Sequence, residues 1–216
     1  MNAPADRPTV AIAGATGFVG TAVRAALADD YDIIALTRSP VRARVYAEQR
    51  PAETWRHCDL FEPYAVRDAL EGADYAVYLV HSMLPSARLT QGNVADLDLL
   101  LADNFARAAQ AQGIKQILYV GGLIPENAPL PDQLASRLEV ENTLGSSAVP
   151  LTALRAGLIV GPGGTRLRML LNLVRRLPLM VLPSWTEAIT QPIAIDDVVR
   201  ALKHVLGQPE RFSART

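Results

Sequence analysis

Along the chain, short apolar runs alternate with segments whose apolar positions recur every three to four residues. The runs at residues 9–13, 32–37, 54–58, 75–80, 116–120 and 151–155 carry mainly Val, Ile, Leu, Ala and aromatic side chains, as strands covered on both faces do. Helical periodicity falls between them, at residues 17–28, 41–49, 63–70, 94–112 and 132–144. Regular strand–helix alternation implies right-handed crossovers and a parallel sheet with helices on both sides. The predicted fold class is therefore α/β, a doubly wound parallel sheet.

After Arg155 the rhythm changes. GLIVGPGG is followed by a Leu- and Arg-rich helical pattern at 166–177, a strand-like run at 179–182, a strand at 192–195 and a last helix at 196–206 that Asp196-Asp197 is expected to N-cap. This stretch is too short for an independent domain and reads as a cap on the C-terminal edge of the sheet, where open α/β sheets bind ligands. The expected division is a core over residues 1–156 and a cap or substrate-side segment over 157–216 that completes the same domain. The helical pattern at 166–177 sets four arginines beside leucines, and its plain reading is a helix packing leucines on the cap, with arginines facing water or an anionic substrate. Its alternative is a membrane-surface or partner-binding helix.

Composition narrows the class of partner. The chain has 216 residues, 50% of them hydrophobic, and its 21 basic and 22 acidic residues leave a net charge of −1. That balance gives no electrostatic footprint for nucleic acid or an anionic membrane. No apolar stretch approaches the roughly 18 residues of a membrane span, the N-terminus lacks a signal-like apolar region, and the one cysteine, Cys58, cannot form an internal disulfide. A soluble, cytoplasmic protein is expected. His57 and His204 share no ligand spacing with other donors, so no metal site is expected.

The sharpest motif is Gly14-Ala15-Thr16-Gly17-Phe18-Val19-Gly20, directly after the first strand and opening the first helix. Gly14 allows a tight turn off the strand, Gly17 lets backbone N–H groups approach a pyrophosphate, and Gly20 lets the helix pack close to the sheet. The helix N-terminus then faces the phosphates. Such a turn at the start of a strand–helix series is a dinucleotide-binding fingerprint. An NAD site places Asp or Glu at the end of the second strand, some 20 residues on. Here that place reads Thr37-Arg38-Ser39, which suits a 2′-phosphate, so NADP(H) is expected over NAD(H), with NAD still possible. The alternative is that Arg38 only solvates a loop.

With these residues in hand, the chain resembles the short-chain dehydrogenase/reductase superfamily in its extended or atypical branch. GATGFVG, the Cys58-Asp59-Leu60 step, LRAGLIVGPG and QPIAIDDVVRAL are each similar to family motifs. YLVHSM, NFARAAQAQGIKQILYVGGL and SRLEVENTL resemble the NmrA-related, YbjT-like NAD(P)-binding proteins. The resemblance implies a Rossmann fold in which Asp59 and Leu60 flank the adenine. It implies that Val80, His81 and Ser82 line the nicotinamide ribose side and that the Ala156–Ile159 segment, with Gly157 and Leu158, closes over the nicotinamide.

The family's catalytic Ser-Tyr-Lys set does not carry over. Alignment puts Arg137 at the Lys position, Gln133 at the Tyr position and Gly121 or Gly122 at the Ser position. Glutamine has no ionisable proton, and arginine holds a ribose or phosphate but stays charged at every physiological pH. Arg137 is therefore a candidate cofactor contact, and the catalytic residues stay unassigned. His81 could donate a proton near neutral pH, or it caps the strand or bonds the ribose.

Three functions follow. The first is an oxidoreductase of non-standard mechanism acting on a small carbonyl or quinone-like molecule. The second is a non-catalytic NADP(H) sensor, and the third an epimerase or dehydratase of nucleotide sugars. The expected partners are the nicotinamide dinucleotide and a small-molecule substrate, and a homo-oligomer is left open. Extended family members continue past this point with further elements, so either the substrate side is minimal or the chain belongs to a longer polypeptide.

Overall fold

The computed structural model describes residues 7–81, 94–125, 129–164, 172 and 191–213. All six predicted core strands form: β1 (Thr9–Ala13), β2 (Asp32–Thr37), β3 (Thr54–His57), β4 (Tyr75–Tyr78), β5 (Gln116–Gly122) and β6 (Leu151–Ala156). They pair in parallel in the order β3-β2-β1-β4-β5-β6, the strand order of the Rossmann fold. The helices between them are α1 (Phe18–Leu27), α2 (Pro40–Gln49), α3 (Pro63–Ala69), α4 (Val94–Ala111) and α5 (Asp132–Gly145).

Period-two alternation sorts the strands' side chains into two cores. Val10 and Ile12 of β1 face α1 in one core, and Ala11 and Ala13 face α3 and α4 in the other. Every residue of β5 is buried, as expected of a central strand covered on both faces. The helices on the two sides leave one edge open, at the C-terminal ends of β1 and β4. There the connections diverge, since β1 runs on to β2 and β4 to β5 on the other side.

Beyond Ala156 the structure forms the expected strand and last helix and adds one short strand that sequence periodicity had not assigned. A short strand β7 (Leu158–Val160) pairs in parallel with β8 (Pro192–Ala194). A methyl group at Gly157 would stand 2.1 Å from the Gln191 carbonyl oxygen, so glycine permits this close pairing. Helix α6 (Ile195–Val205) packs Ile195, Val198, Val199, Leu202 and Val205 against the core that α1 covers, and a single turn, α7 (Pro209–Phe212), follows. The expected N-cap role of Asp196 is corrected. Strand β8 runs straight into the helix, Ala194 takes the cap position with extended backbone, and Asp196 and Asp197 lie inside the first turn. Their charges act there on the helix dipole, and Asp197 also pairs with Arg200. The patterns at 166–177 and 179–182 lie outside the described residues. Among the described residues no helix is long and apolar enough to cross a membrane.

One buried amide ties this added segment to the sheet. Gln116, fully buried at the start of β5, donates to Thr152 Oγ1 at 2.8 Å and to the Val205 carbonyl at 3.1 Å, and accepts from the Gly207 N–H at 2.8 Å. Replacing it with an apolar isostere orphans the Gly207 donor. Gln116→Met is therefore expected to cost roughly 1–3 kcal/mol in urea denaturation.

Three buried acids make the fold sensitive to alkaline pH. Burial pushes the Cys58 thiol up to about 12, with the neighbouring Asp59 charge adding to the effect. Burial likewise raises the Tyr78 and Tyr119 hydroxyls above the usual tyrosine range. In each case the folded value lies above the unfolded one. The stabilisation is thus complete below the unfolded pKa, about 8.5 for Cys and about 10 for Tyr, and is lost as pH rises beyond it. The urea midpoint is expected to fall from about pH 8.5 upward, and Cys58→Ala to move the onset towards about pH 10.

Candidate functional site

The open edge carries a cleft of about 630 Å³, within the usual range of roughly 300–1,000 Å³ for a small-molecule site. Its floor is the glycine turn. Gly14 has φ +83°, and the Gly17 N–H donates to the Gly14 carbonyl at 2.9 Å. A methyl group at Gly20 would stand 2.2 Å from that carbonyl oxygen and 2.9 Å from Ala15 Cα. Only glycine lets α1 start this close to β1. The helix N-terminus consequently opens onto the cleft, with Gly17 as its N-cap and Thr16 and Gly17 exposed along the wall.

The second wall is the end of β2. Thr37, Arg38 and Ser39 line the cleft, and Arg42 joins them from the first turn of α2. Ser39 fixes this corner: it caps α2 by accepting from the Arg42 N–H at 3.3 Å, and its own N–H donates to Thr37 Oγ1 at 3.4 Å. Arg38 and Arg42 are both exposed, so the two guanidinium groups reach the rim without desolvation. Arg42 was not singled out from the sequence, because it lies on a helix face that reads as solvated. The capping geometry of Ser39, three residues earlier, is the signal that would have placed it.

The third wall follows β3, where Cys58, Asp59, Leu60 and Phe61 line the cleft. Cys58 lies one residue past the strand, and its buried, neutral thiol acts as a small apolar group. Asp59 Oδ1 accepts from the Phe61 N–H at 3.1 Å. Buried Asn104 on α4 donates to the Leu60 carbonyl at 2.9 Å, so this loop is held at both ends.

A smaller cavity of about 160 Å³ lies beyond the end of β4 and is lined by Val19, Gly121, Arg137, Gly157 and Leu158. Leu79 and His81 border both cavities, and Val80 lines the larger one. Two named residues line neither. Gly20 abuts the Gly14 carbonyl, and Phe18 packs on the Gly161–Gly164 turn, its ring 3.3 Å from where a methyl on Gly161 would be. Ser82 lies outside the described residues.

At the end of β5, side chains of α5 occupy the place where a serine would project. A methyl on Gly122 would come within 2.5 Å of Leu134 Cδ2 and 3.4 Å of the Arg137 guanidinium, and one on Gly121 within 3.3 Å of Glu141 Oε2. A side chain at 122 would have to push aside the tip of Leu134, and Arg137 uses the space beside the strand. Tyr119 is fully buried, donates its hydroxyl to the Arg137 carbonyl at 3.2 Å, and is raised above the usual tyrosine range by burial. It is a core residue. Gln133 is exposed on the first turn of α5, and among the described residues no group of three or more His, Cys, Asp or Glu side chains could hold a metal ion.

Comparison with known proteins agrees with this geometry. Residues 14–171 match the family described as NAD(P)H-binding. The chain is 30% identical over 205 residues to ceramide reductase of Caulobacter vibrioides, covering 91% of this chain and 60% of that protein. It is 31% identical over 137 residues to the auxiliary protein GraX of Staphylococcus aureus, covering 63% of this chain and 44% of GraX. It thus spans about half the length of these curated relatives. The structure of an NADPH-dependent quinone oxidoreductase from Escherichia coli in complex with NADPH superposes with a TM-score of 0.56 at 28% identity, over 69% of this chain and 49% of that one. A glycine turn under a helix N-terminus, a Rossmann strand order and a sequence match over most of its length make this chain a member of the NAD(P)H-binding family, of the atypical short-chain dehydrogenase/reductase type.

Proposed function

We propose that this chain binds NADP(H) in preference to NAD(H) and serves a reductase whose acceptor needs no proton from the protein during hydride transfer. The observation that carries the preference is the rim at the end of β2, where Arg38, Ser39 and Arg42 line the cleft and no carboxylate stands in the Thr37-Arg38-Ser39 sequence. A 2′-phosphate would receive two guanidinium donors there, and a bare ribose hydroxyl would lack its usual acceptor. In the same reading the turn from Gly14 to Gly20 cradles the pyrophosphate, Asp59 and Leu60 flank the adenine, and Val80, His81, Gly157 and Leu158 border the nicotinamide end.

When bound, the reduced nicotinamide supplies a hydride. The rest of the chemistry falls to the residues around the smaller cavity. Arg137 stays charged at any working pH and can hold a developing oxyanion, but it cannot protonate one. The sequence contains two lysines, and both are engaged elsewhere, Lys115 with Asp74 and Lys203 with Asp30. Without a Tyr–Lys relay, the favoured acceptors are those whose two-electron-reduced form is stable as an anion, as with quinones. The product then leaves the Arg137 guanidinium as an anion and takes its proton from water. A sensor that binds the dinucleotide without turnover is the second reading, supported by the same missing relay.

Titration tests the preference. Arg38→Ala is expected to weaken NADPH roughly 10- to 100-fold, the loss of one or two charge-assisted hydrogen bonds, and to leave NADH affinity unchanged. Equal NADPH affinity in parent and variant would refute the assignment. Oxidation of NADPH followed over a panel of quinones, aldehydes and ketones tests the chemistry. Turnover is expected with quinones alone and to fall about a hundredfold in Arg137→Ala. Tight NADPH binding with no turnover on any acceptor leaves the sensor reading in its place.

A further inference from the structure

Beneath the glycine turn lies a buried ion pair that neither cavity touches. Arg24, in the last turn of α1, is 3% exposed. Its Nη1 meets both oxygens of Glu53 at 2.6 Å, and its Nε donates to the Ala15 carbonyl at 2.9 Å. Glu53 also accepts from Trp55 Nε1 at 3.0 Å. The Trp55 ring lies 4.8 Å under the guanidinium and packs on Tyr46 with ring centres 4.5 Å apart. A buried charge is costly unless paired and hydrogen-bonded. Here the partners behind Arg24 come from the loop before β3 and from β3 itself, while its one contact made forward is to a backbone carbonyl of the turn.

That contact has a geometric consequence. The Ala15 carbonyl and the Thr16 N–H belong to one planar peptide unit and point to opposite sides of it. Holding the carbonyl against Arg24, on the protein side, turns the Thr16 N–H the other way, and Thr16 lines the cleft. We propose that Arg24, held by Glu53 and Trp55, is a positioning residue for the phosphate-binding turn: it fixes the Ala15–Thr16 peptide so that the turn meets a diphosphate already oriented. A turn ordered before binding gives up less conformational freedom on binding. The inference rests on the dinucleotide reading of the cleft and adds that affinity for the diphosphate is set from behind the turn, by residues that never touch the ligand.

The test separates diphosphate binding from general loosening. Arg24→Met alone leaves the Glu53 carboxylate unpaired and endangers the fold, so the informative protein is the double variant Arg24→Met with Glu53→Gln, which removes both charges and keeps their volumes. Calorimetric titration is run with NADPH and with adenosine 2′-monophosphate, which has the 2′-phosphate but no diphosphate. NADPH is expected to bind about tenfold more weakly, the loss of roughly one hydrogen bond's worth of preorganisation, with adenosine 2′-monophosphate bound as by the parent. Arg24→Lys keeps the charge without the planar fork and is expected to lie between, which preserves the test should the double variant unfold. Unchanged NADPH affinity overturns the proposal, and so does equal weakening of both ligands. A parent protein that binds neither NADPH nor NADH overturns the dinucleotide reading itself and this inference with it.

Discussion

The site depends on a distance that no larger residue could keep. Helix α1 begins so close to β1 that a methyl group at position 20 would lie 2.2 Å from the Gly14 carbonyl oxygen. Because α1 can sit there, its N-terminus looks across the C-terminal ends of the parallel strands, and the positive end of the helix dipole faces the crevice. The cleft walls are then fixed by the ends of the neighbouring strands β2 and β3, whose loops are held by short polar contacts at Ser39 and Asn104. The same closeness brings Ala15 over the guanidinium of Arg24. The backbone of the turn is thus held from below before anything binds above it.

Charge is distributed so that anions meet cations at one place. Two carboxylates near the site's framework are already committed, Glu53 to Arg24 and Glu141 to Arg155, whereas Arg38 and Arg42 stand exposed at the rim. A net charge of −1 for the whole chain therefore coexists with a local positive corner. In the proposed NADP(H) site this corner is where a 2′-phosphate meets fixed positive charge, without a net positive field over the chain.

How much of this could be read from the sequence depends on whether the signal is local. The strands and helices were legible because their burial pattern repeats within a few residues, and the glycine turn because its spacing and its place after β1 are contiguous. Arg42 was missed because its relevance comes from the Ser39 cap, which starts α2 at the cleft rim so that an arginine of its first turn lines the cleft. Arg24 was missed for a different reason: at a helical position it reads as a surface charge, and only the pairing of β2 with β3 brings Glu53 and Trp55 beneath it. Strand β7 escaped because three residues do not establish a period, and its partner β8 lies about thirty residues further on. Asp196 was misread because a strand leading directly into a helix leaves the cap to Ala194.

The end of β5 carries the last step from packing to chemistry. Glycines at 121 and 122 let α5 come close enough for Leu134 and Arg137 to fill the place where a serine side chain would project. A side chain at 122 would have to push aside the tip of Leu134, while position 137 stands against the strand end and borders the smaller cavity. An arginine there changes the kind of assistance available, from proton transfer to fixed charge. Fixed charge favours a transition state that accumulates negative charge and does not need that charge neutralised by a proton in the same step. Under the proposed reductase function, the packing of α5 on β5 favours acceptors whose reduced forms are stable as anions.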